Sequence, residues 1–221
     1  MIIRCKGLLF DMDGVLISSI ASADRCWVNW ARHYGVANAD SFRIKHGTRA
    51  VEIMKTARPD FTEAQLAEGL MLIEDMEIAD VADLKVLPGV REMLGMLPKE
   101  RWTIVTSATR RLLLGRLKAA GLPYPEELIT ANEVVNGKPH PEPYMKGAAL
   151  LGFAPAECVV VEDAPSGVGA GVAAGSPVLG VLGTHSAEQL YGAGAQWVVR
   201  DLAGVKVTTG DGGLGLEFEA I

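Results

Sequence analysis

The sequence predicts an α/β protein in which helices flank a parallel β-sheet and an all-helical block is inserted after the first strand. Short apolar segments alternate with helical patterns over most of the chain, which is the order of elements in a parallel sheet. Residues 18–85 break this alternation, because helical patterns follow one another there without a convincing strand. A chain of 221 residues has room for one large domain with a smaller insertion.

The strands of the predicted sheet are short apolar runs. The first, at 6–10, ends directly before two acids, which is typical of a central buried strand that leads into a site. The further strand candidates are 102–106, 127–130, 158–161, 177–182 and 196–199, with a last edge strand at 216–220 after a turn-rich tail at 208–213. Helices are predicted between them at 90–97, 110–120 and 141–151.

The inserted block is predicted to be a cap domain. Helical patterns cover 22–34 and 49–57, and Thr62-Glu63-Ala64-Gln65 is a capping box before a helix that runs to about residue 79. The predicted division is therefore an α/β core at 1–16 and 87–221 and a helical cap at 17–86, with a Rossmann-like sheet in the core.

Composition narrows the possible partners. Apolar residues make up 49% of the chain, and the net charge of −6 disfavours nucleic acid and anionic membranes, which are polyanions. The uncharged stretch 164–187 is interrupted by two prolines and several glycines, so buried core is favoured over a membrane span. Three cysteines without CxxC spacing indicate reduced thiols, and we expect a cytoplasmic protein, monomeric or a small homo-oligomer.

Two carboxylates follow the first strand. Asp11 and Asp13 lie two residues apart, and Gly14 then frees the backbone to turn. The carboxyl end of a parallel strand is where ligands bind in open α/β sheets. Two acids together there are costly without a cation, because like charges disfavour joint ionisation. A pair of solvated loop acids is the alternative for this motif taken alone.

Further polar residues follow later strands. Ser107 comes after the run at 102–106, where its hydroxyl can donate to a phosphate oxygen, although serine and threonine there also serve as helix N-caps. Lys138 stands in a loop stiffened by three prolines, and a fixed ammonium would neutralise a phosphate and a nucleophile. His140, between two of those prolines, is interpreted as a packing or hydrogen-bonding residue.

A second acid pair, Glu162 and Asp163, follows the run at 158–161. Mg²⁺ prefers oxygen ligands, and Asp11, Asp163 and the backbone carbonyl of Asp13 would suit it.

The segment 169–174 formally matches a dinucleotide-binding GxGxxA pattern, but its glycines fall inside a predicted helix rather than in the turn after a strand. The pattern is therefore interpreted as close helix packing.

Taken together, these motifs resemble those of the haloacid dehalogenase superfamily. Asp-Met-Asp-Gly-Val at 11–15 resembles its first motif, Thr-Ser at 106–107 the second, Gly-Lys-Pro at 137–139 the third and Val-Val-Glu-Asp-Ala-Pro-Ser-Gly at 160–167 the fourth. Their order and spacing match over nearly the whole chain, the helical cap included. The resemblance implies a Mg²⁺-dependent phosphoric monoester hydrolase that works through an aspartyl-phosphate.

The resemblance also implies a role for each residue. Asp11 would be the nucleophile, and Asp13 would protonate the leaving alcohol and then activate water. Ser107 and Lys138 would hold the phosphoryl oxygens. Asp163, with Asp11 and the Asp13 carbonyl, would hold Mg²⁺, with Glu162 supporting it nearby.

Within the superfamily, the segment 129–147 is most similar to the phosphatases of glycerol phosphate, deoxyglucose phosphate and related sugar phosphates. Arg49 lies in a segment that resembles their cap loop and would read the substrate, the alternative being a surface arginine at a helix start. The sequence departs from the family at Ser18 and Ser19, which replace the usual acid after the first motif, and at Ala23, where sugar-phosphate mutases carry a histidine.

Three functions are therefore compared. The first is a phosphatase acting on a small sugar or polyol phosphate. The second is a phosphosugar mutase with the same Asp11 chemistry, which Ala23 disfavours. The third is a catalytically idle binding protein, which predicts the loss of at least one of Asp11, Asp13, Lys138 and Asp163, and all four are present.

Overall fold

The computed structural model describes residues 1–210 and 212–221. The strands of the described chain are β1 (Ile2–Cys5), β2 (Gly7–Phe10), β3 (Ile17–Ser18), β4 (Lys85–Val86), β5 (Trp102–Ile104), β6 (Cys158–Glu162), β7 (Val178–Val181), β8 (Trp197–Val199), β9 (Lys206–Gly210) and β10 (Gly213–Glu217). The helices are α1 (Ile20–His33), α2 (Ala50–Ala57), α3 (Glu63–Ala79), α4 (Val90–Met96), α5 (Arg110–Ala120), α6 (Glu142–Leu150), α7 (Pro165–Ala173) and α8 (Ala187–Gly192). Short 3-10 turns lie at Ala39–Ser41, Lys99–Arg101, Pro155–Glu157 and Leu202–Gly204.

A five-stranded parallel sheet forms the centre, in the order β5-β2-β6-β7-β8. The predicted α/β fold with a parallel sheet is confirmed. Strand β2 lies between β5 and β6 and is buried along its whole length, which explains why it is a continuous apolar run. Two hydrophobic clusters cover the sheet, one on each face, and Leu8 and Leu9 of β2 belong to different clusters because successive side chains point to opposite faces.

Residues 17–86 leave and rejoin this core through a two-stranded antiparallel ribbon. In the ribbon, Ile17 of β3 pairs with Val86 of β4. Between the two strands lie α1, α2 and α3, and the first and last of these helices pack on each other. They enclose a hydrophobic cluster of their own around Trp30, which is fully buried and donates its indole N–H to the carbonyl of Gly69 at 3.0 Å.

Helix starts and stops follow the sequence signals closely. Helix α5 has the predicted bounds and begins after Thr109, whose hydroxyl accepts from the backbone N–H of Leu112. The capping box at Thr62 and Gln65 is present at the start of α3. Such caps satisfy backbone N–H groups that the first turn of a helix leaves without partners.

Other predicted elements differ. Residues 127–130 do not form a strand and contribute an isolated bridge between Val105 and Ile129. The end of the chain is an antiparallel hairpin of β9 and β10 that pairs with β1, so the predicted turn-rich tail at 208–213 lies largely in strands. Asp211, within that tail, lies outside the described residues. None of the helices in residues 1–210 and 212–221 has both the length and the apolar character needed to cross a bilayer.

Candidate active site

The carboxyl ends of β2 and β6 bring the two predicted acid pairs together. These strands are parallel neighbours with Phe10 opposite Val161, and the backbone N–H of Asp11 donates to the carbonyl of Val161 at 3.0 Å. Asp11 directly follows β2, while Glu162 is the last residue of β6. The register therefore places the acids that follow the two strands at the same edge of the sheet.

Lys138 lies buried between these acids. Its Nζ is 2.7 Å from Asp11 Oδ1, 2.7 Å from Glu162 Oε1 and 3.0 Å from the carbonyl oxygen of Val105. An ammonium has three donors, and all three are used here. Burial acts to lower the pKa of Lys138, but Asp11 and Glu162 outweigh it and raise the pKa above its ordinary value, so the side chain is charged.

Glu162 is fixed by contacts on every side. Besides Lys138, its carboxylate accepts from the Tyr144 hydroxyl at 2.9 Å and from the backbone N–H groups of Asp163 and Ala164 at 2.9 and 3.0 Å. Gly167 leaves the space for it, because a Cβ at that position would lie 1.6 Å from Glu162 Oε1. With these partners, the Glu162 carboxylate holds the Lys138 ammonium in position at the floor of the cleft.

Three buried carboxylates at this edge could hold a metal ion. Oxygens of Asp11, Glu162 and Asp163 lie within 4.8 Å of one another. Burial and the neighbouring acids raise the pKa of Asp11 well above its ordinary value, and burial and Glu162 raise that of Asp163 to about 7. Lys138 supplies one positive charge against three acids, so a divalent cation fits the remaining negative charge.

Asp163 also receives hydrogen bonds that orient it. Its Oδ2 accepts from the Thr184 hydroxyl at 2.6 Å and from the Thr184 backbone N–H at 3.3 Å. Thr184 is absent from the sequence predictions, because its position after β7 shows its relation to Asp163 only once the strands are ordered in the sheet.

Asp13 faces a different set of partners. Arg116 Nη1 lies 2.9 Å from each Asp13 carboxylate oxygen, and the Ser19 hydroxyl donates to the same carboxylate. Arg116 Nη2 then reaches Glu77 of α3, with 3.1 Å between the donor and Oε2. Neither Arg116 nor Glu77 is among the residues predicted from the sequence. A signal exists, since Arg116 shares the helix face of Leu112 and Leu113, where a charge needs a partner.

A cavity of about 100 Å³ opens over these residues, between the sheet edge and the inserted helices. Asp11, Asp13, Ser107 and Asp163 line it from the sheet side, and Ala23, Trp27, His46, Ile73, Glu74 and Glu77 line it from residues 17–86. The structure thus brings together six of the seven predicted site residues: Asp11, Asp13, Ser107, Lys138, Glu162 and Asp163. Lys138 does not line the cavity itself and contacts Asp11 from the protein interior.

Arg49 is the residue that the structure places apart from this cavity. Its guanidinium binds the carboxylate of Glu52 in the first turn of α2 and donates to the carbonyl of Val135 at 2.9 Å. The side chain also packs against Gly137, where a Cβ would lie 2.7 Å from Arg49 Nε. Arg49 therefore bridges the inserted helices to the loop that carries Lys138. His140 accepts from the backbone N–H of Glu142 at the start of α6.

Comparison with known proteins identifies the family. Residues 5–175 match the family of haloacid dehalogenase-like hydrolases. The chain belongs to this family. The predicted superfamily is thereby confirmed on most of the sequence, and with it the predicted enzyme class, a hydrolase.

Several curated relatives are named as phosphatases. The chain is 43% identical over 180 residues to hexitol phosphatase A of Escherichia coli K12, covering 80% of this chain and 83% of the relative. It is 31% identical over 216 residues to glycerol-1-phosphate phosphohydrolase 2 of Saccharomyces cerevisiae, covering 93% and 86%. These relatives confirm the predicted class of phosphoric monoester hydrolase.

Solved structures share the fold. A proposed beta-phosphoglucomutase from Bacteroides vulgatus superimposes with a TM-score of 0.76 at 28% identity, covering 91% of this chain and 86% of that one. The family therefore includes proteins assigned to both of the reactions that the sequence leaves open, although the curated relatives favour the phosphatase.

Proposed function

We propose that this protein is a Mg²⁺-dependent phosphatase that hydrolyses a small polyol or sugar phosphate through an aspartyl-phosphate on Asp11. The observation that carries the proposal is the contact of Asp11 with the buried ammonium of Lys138, beside a compact cluster of acids at the floor of a cavity. A carboxylate nucleophile divides one difficult displacement into two easier ones. The named activities of the relatives on hexitol and glycerol phosphates support the substrate class.

The site residues divide the work by position. Asp11 attacks phosphorus, and Lys138 keeps its carboxylate in place while neutralising charge on the phosphoryl group. Ser107, which lines the cavity, donates to a phosphoryl oxygen. Asp13 gives a proton to the leaving alcohol and takes one from the water that hydrolyses the intermediate.

Mg²⁺ is assigned to Asp11, Asp163 and the backbone carbonyl of Asp13, with Glu162 nearby. Hard oxygen ligands and the uncompensated negative charge of the cluster support a hard divalent cation. When bound, the ion supplies charge neutralisation for the transferring phosphoryl group. Thr184 would keep the Asp163 carboxylate turned toward it.

The division of the chain into a core at 1–16 and 87–221 and a cap at 17–86 completes the proposal. The separate hydrophobic cluster around Trp30 and the ribbon of β3 and β4 support it. A cap over the cavity limits the access of water to the reacting groups. Arg49 contacts the substrate only after its contacts with Glu52 and Val135 rearrange. A cytoplasmic location is part of the same proposal.

A phosphosugar mutase is the second candidate, favoured by the fold shared with the Bacteroides vulgatus protein. The structure supplies an observation against it, because Ala23 lines the cavity at the position where the mutases of the family carry a histidine. A methyl group cannot take part in proton transfer. Conversion of a hexose 1-phosphate to its 6-phosphate by the purified protein would favour the mutase.

The decisive experiment measures phosphate release from a panel of polyol and sugar phosphates, with Mg²⁺ or with EDTA, for the wild type and Asp11→Asn. We expect release that needs Mg²⁺ and disappears in the variant. Activity that survives EDTA would exclude the metal, and activity that survives the substitution would exclude Asp11 as nucleophile. Glu188→Gln, an exposed acid on α8, is the control and should behave as wild type.

A further inference from the structure

Arg116 is the buried cation that the proposed chemistry does not yet use. It lies on α5, is 4% exposed, and shares its helix face with Leu112, Leu113 and Leu117. A guanidinium is rarely buried without partners, because the cost of removing it from water must be offset by charge-assisted hydrogen bonds. Its partners are therefore informative about its role.

The first partner is Asp13. One nitrogen, Nη1, stands at 2.9 Å from both carboxylate oxygens, so the guanidinium lies across the end of the side chain rather than at one corner. Ser19 donates to the same carboxylate. Asp13 is on a loop after β2, and these two donors fix the direction in which its carboxylate points.

The second partner belongs to the inserted helices. Arg116 Nη2 donates to Glu77 at 3.1 Å, and Glu77 is 5% exposed. Burial raises the pKa of Glu77 to about 7, with Arg116 acting against this shift. The contact forms where α3 packs closely on α5, since a Cβ at Gly115 would lie 2.8 Å from the Ile78 side chain.

The guanidinium of Arg116 is thus shared between the loop that carries Asp13 and the helix that covers the cavity. Moving α3 away from α5 would remove Glu77 from Arg116 and leave the guanidinium with Asp13 alone. Proton transfer requires heavy atoms within hydrogen-bond reach, and a misplacement of about 1 Å can cost about 10²-fold in rate. The placement of Asp13 therefore depends on how Arg116 is held.

We propose that Arg116 is a positioning residue that aims the Asp13 carboxylate at the reacting oxygen, and that Glu77 makes this placement depend on the docking of residues 17–86. The inference rests on the proposed function, since it assumes that Asp13 transfers the proton. Arg116 lines the same cavity, and its role in this proposal is exerted through the Asp13 carboxylate to which it is hydrogen-bonded.

A double-mutant cycle tests the proposal with an aryl phosphate, whose good leaving group needs no proton and keeps Asp13→Asn measurable. With this substrate, kcat reports the activation of the hydrolytic water by Asp13. Arg116→Gln should lower kcat roughly 10- to 100-fold with little change in KM, because the loss is of orientation rather than of substrate binding. In the Asp13→Asn background the same substitution should change kcat by less than about 2-fold, since the residue through which it acts is gone. Equal losses in both backgrounds would overturn the proposal.

The contact between Glu77 and Arg116 is tested by a second double-mutant cycle. Glu77→Gln should lower kcat about 3- to 10-fold alone and have no further effect in the Arg116→Gln background. Additive losses of these two substitutions would contradict a shared route. If Arg116→Gln does not fold, as judged by its thermal midpoint, Arg116→Lys takes its place, because lysine lacks the planar fork that presents one nitrogen to Asp13 and another to Glu77.

The matched control is Arg111→Gln on the same helix. Arg111 contacts Glu74 and Asp75 of α3, is half exposed and does not contact Asp13. Its removal leaves the buried Glu74 with the Thr109 hydroxyl as a partner and should change kcat by less than about 2-fold. A loss as large as that of Arg116→Gln would assign the effect to α3 docking alone and overturn the role of Arg116. A wild type without phosphatase activity would instead reject the proposed function.

Discussion

Asp11 and Asp13 are two residues apart in sequence and lie in contrasting surroundings. Asp11 is buried against Lys138, beside Glu162 at the end of β6 and Asp163 directly after it, and its hydrogen-bond partners come from the sheet edge and from the loop before α6. Asp13 is partly exposed and is held by Arg116, which also binds Glu77 of the inserted helices. One carboxylate is held entirely by the core and the other depends on both parts of the chain.

This difference indicates how the work is divided. Under the proposed function, the phosphoryl group would need a fixed nucleophile and fixed charges, and the edge of the parallel sheet would supply them. The leaving group would differ from substrate to substrate, and the inserted helices contribute part of the cavity lining that it would meet. If the two environments are separate, substitutions on one side should leave the other side unchanged.

Removal of the Lys138 ammonium should have the largest effect. Lys138→Ala leaves Asp11 and Glu162 buried without their cation, which should destabilise the fold by about 3–5 kcal/mol and lower kcat by about 10²- to 10³-fold. Urea unfolding and steady-state kinetics measure the two effects. Lys146→Ala, which removes an exposed lysine paired with Glu142, should change stability by less than about 0.5 kcal/mol. Equal effects of the two substitutions would show that the buried contact is unimportant.

Mg²⁺ bound at Asp11 and Asp163 should raise the free energy of unfolding by an amount that depends on pH. Because the pKa values of Asp11 and Asp163 are raised, their contribution to metal-free stability is full below the ordinary carboxyl pKa and falls as pH rises, for Asp163 through a pKa of about 7. Mg²⁺ binds the ionised acids, so its effect should grow from pH 5.5 to pH 8. At about 100 times its dissociation constant it contributes about 2.7 kcal/mol, or roughly 5–10 °C in Tm.

Thermal unfolding in Mg²⁺ and in EDTA at both pH values checks this expectation. A Mg²⁺ effect that is the same at pH 5.5 and pH 8 would contradict the assignment of these two acids as its ligands. The Asp163→Asn variant should lose most of the Mg²⁺ effect at pH 8.

Substitution of Thr184 should weaken Mg²⁺ binding and leave the environment of Asp13 unchanged. Thr184→Val removes the hydroxyl that orients Asp163 and should weaken Mg²⁺ binding about 10- to 100-fold, with kcat restored at saturating Mg²⁺. Titration of activity with Mg²⁺ measures the shift. Thr208→Val on the exposed strand β9 is the control and should leave the titration unchanged. If kcat of Thr184→Val stays low at saturating Mg²⁺, the role of Thr184 in orienting Asp163 for Mg²⁺ is contradicted.

The smallest expected effect concerns Tyr144. Tyr144→Phe removes one hydrogen bond to Glu162, whose Oε1 keeps Lys138 as a partner, so the cost should be about 1 kcal/mol in unfolding free energy. Tyr124→Phe, at an exposed position, should cost nothing measurable in the same urea titration. A loss of several kcal/mol would mean that the core-side contacts act as one network rather than as separate bonds.

Strong local signals predicted most of the fold. Continuous apolar runs identified β2 and β6, and helix α5 has the bounds predicted from the sequence. The rule that polar residues after parallel strands meet at one edge of the sheet predicted that Asp11 and Asp163 lie together, as the structure has them. These successes share a cause, since each depends on a few neighbouring residues or on one rule about strand ends.

Long-range pairing and buried charge were not predicted. Strand β1 pairs with β10 across almost the whole length of the chain, and no local pattern specifies that partner. The run at 127–130 has strand-like composition, but it forms only a single bridge at Ile129. Arg116 and Glu77 belong to different helices, so the contact between them depends on how α3 docks on α5. Arg49 was assigned to the substrate from a loop resemblance, and its contacts with Glu52 and Val135 appear only in three dimensions.

The most direct test of the account identifies the residue that receives the phosphoryl group. Asp13→Asn protein is mixed with an aryl phosphate, quenched in acid within milliseconds, digested and examined by mass spectrometry. Because an aryl leaving group needs no proton, we expect a burst of about one equivalent of phenol and a phosphoryl group on Asp11. A burst with Asp11 unmodified, or a phosphoryl group on any other residue, would contradict the account.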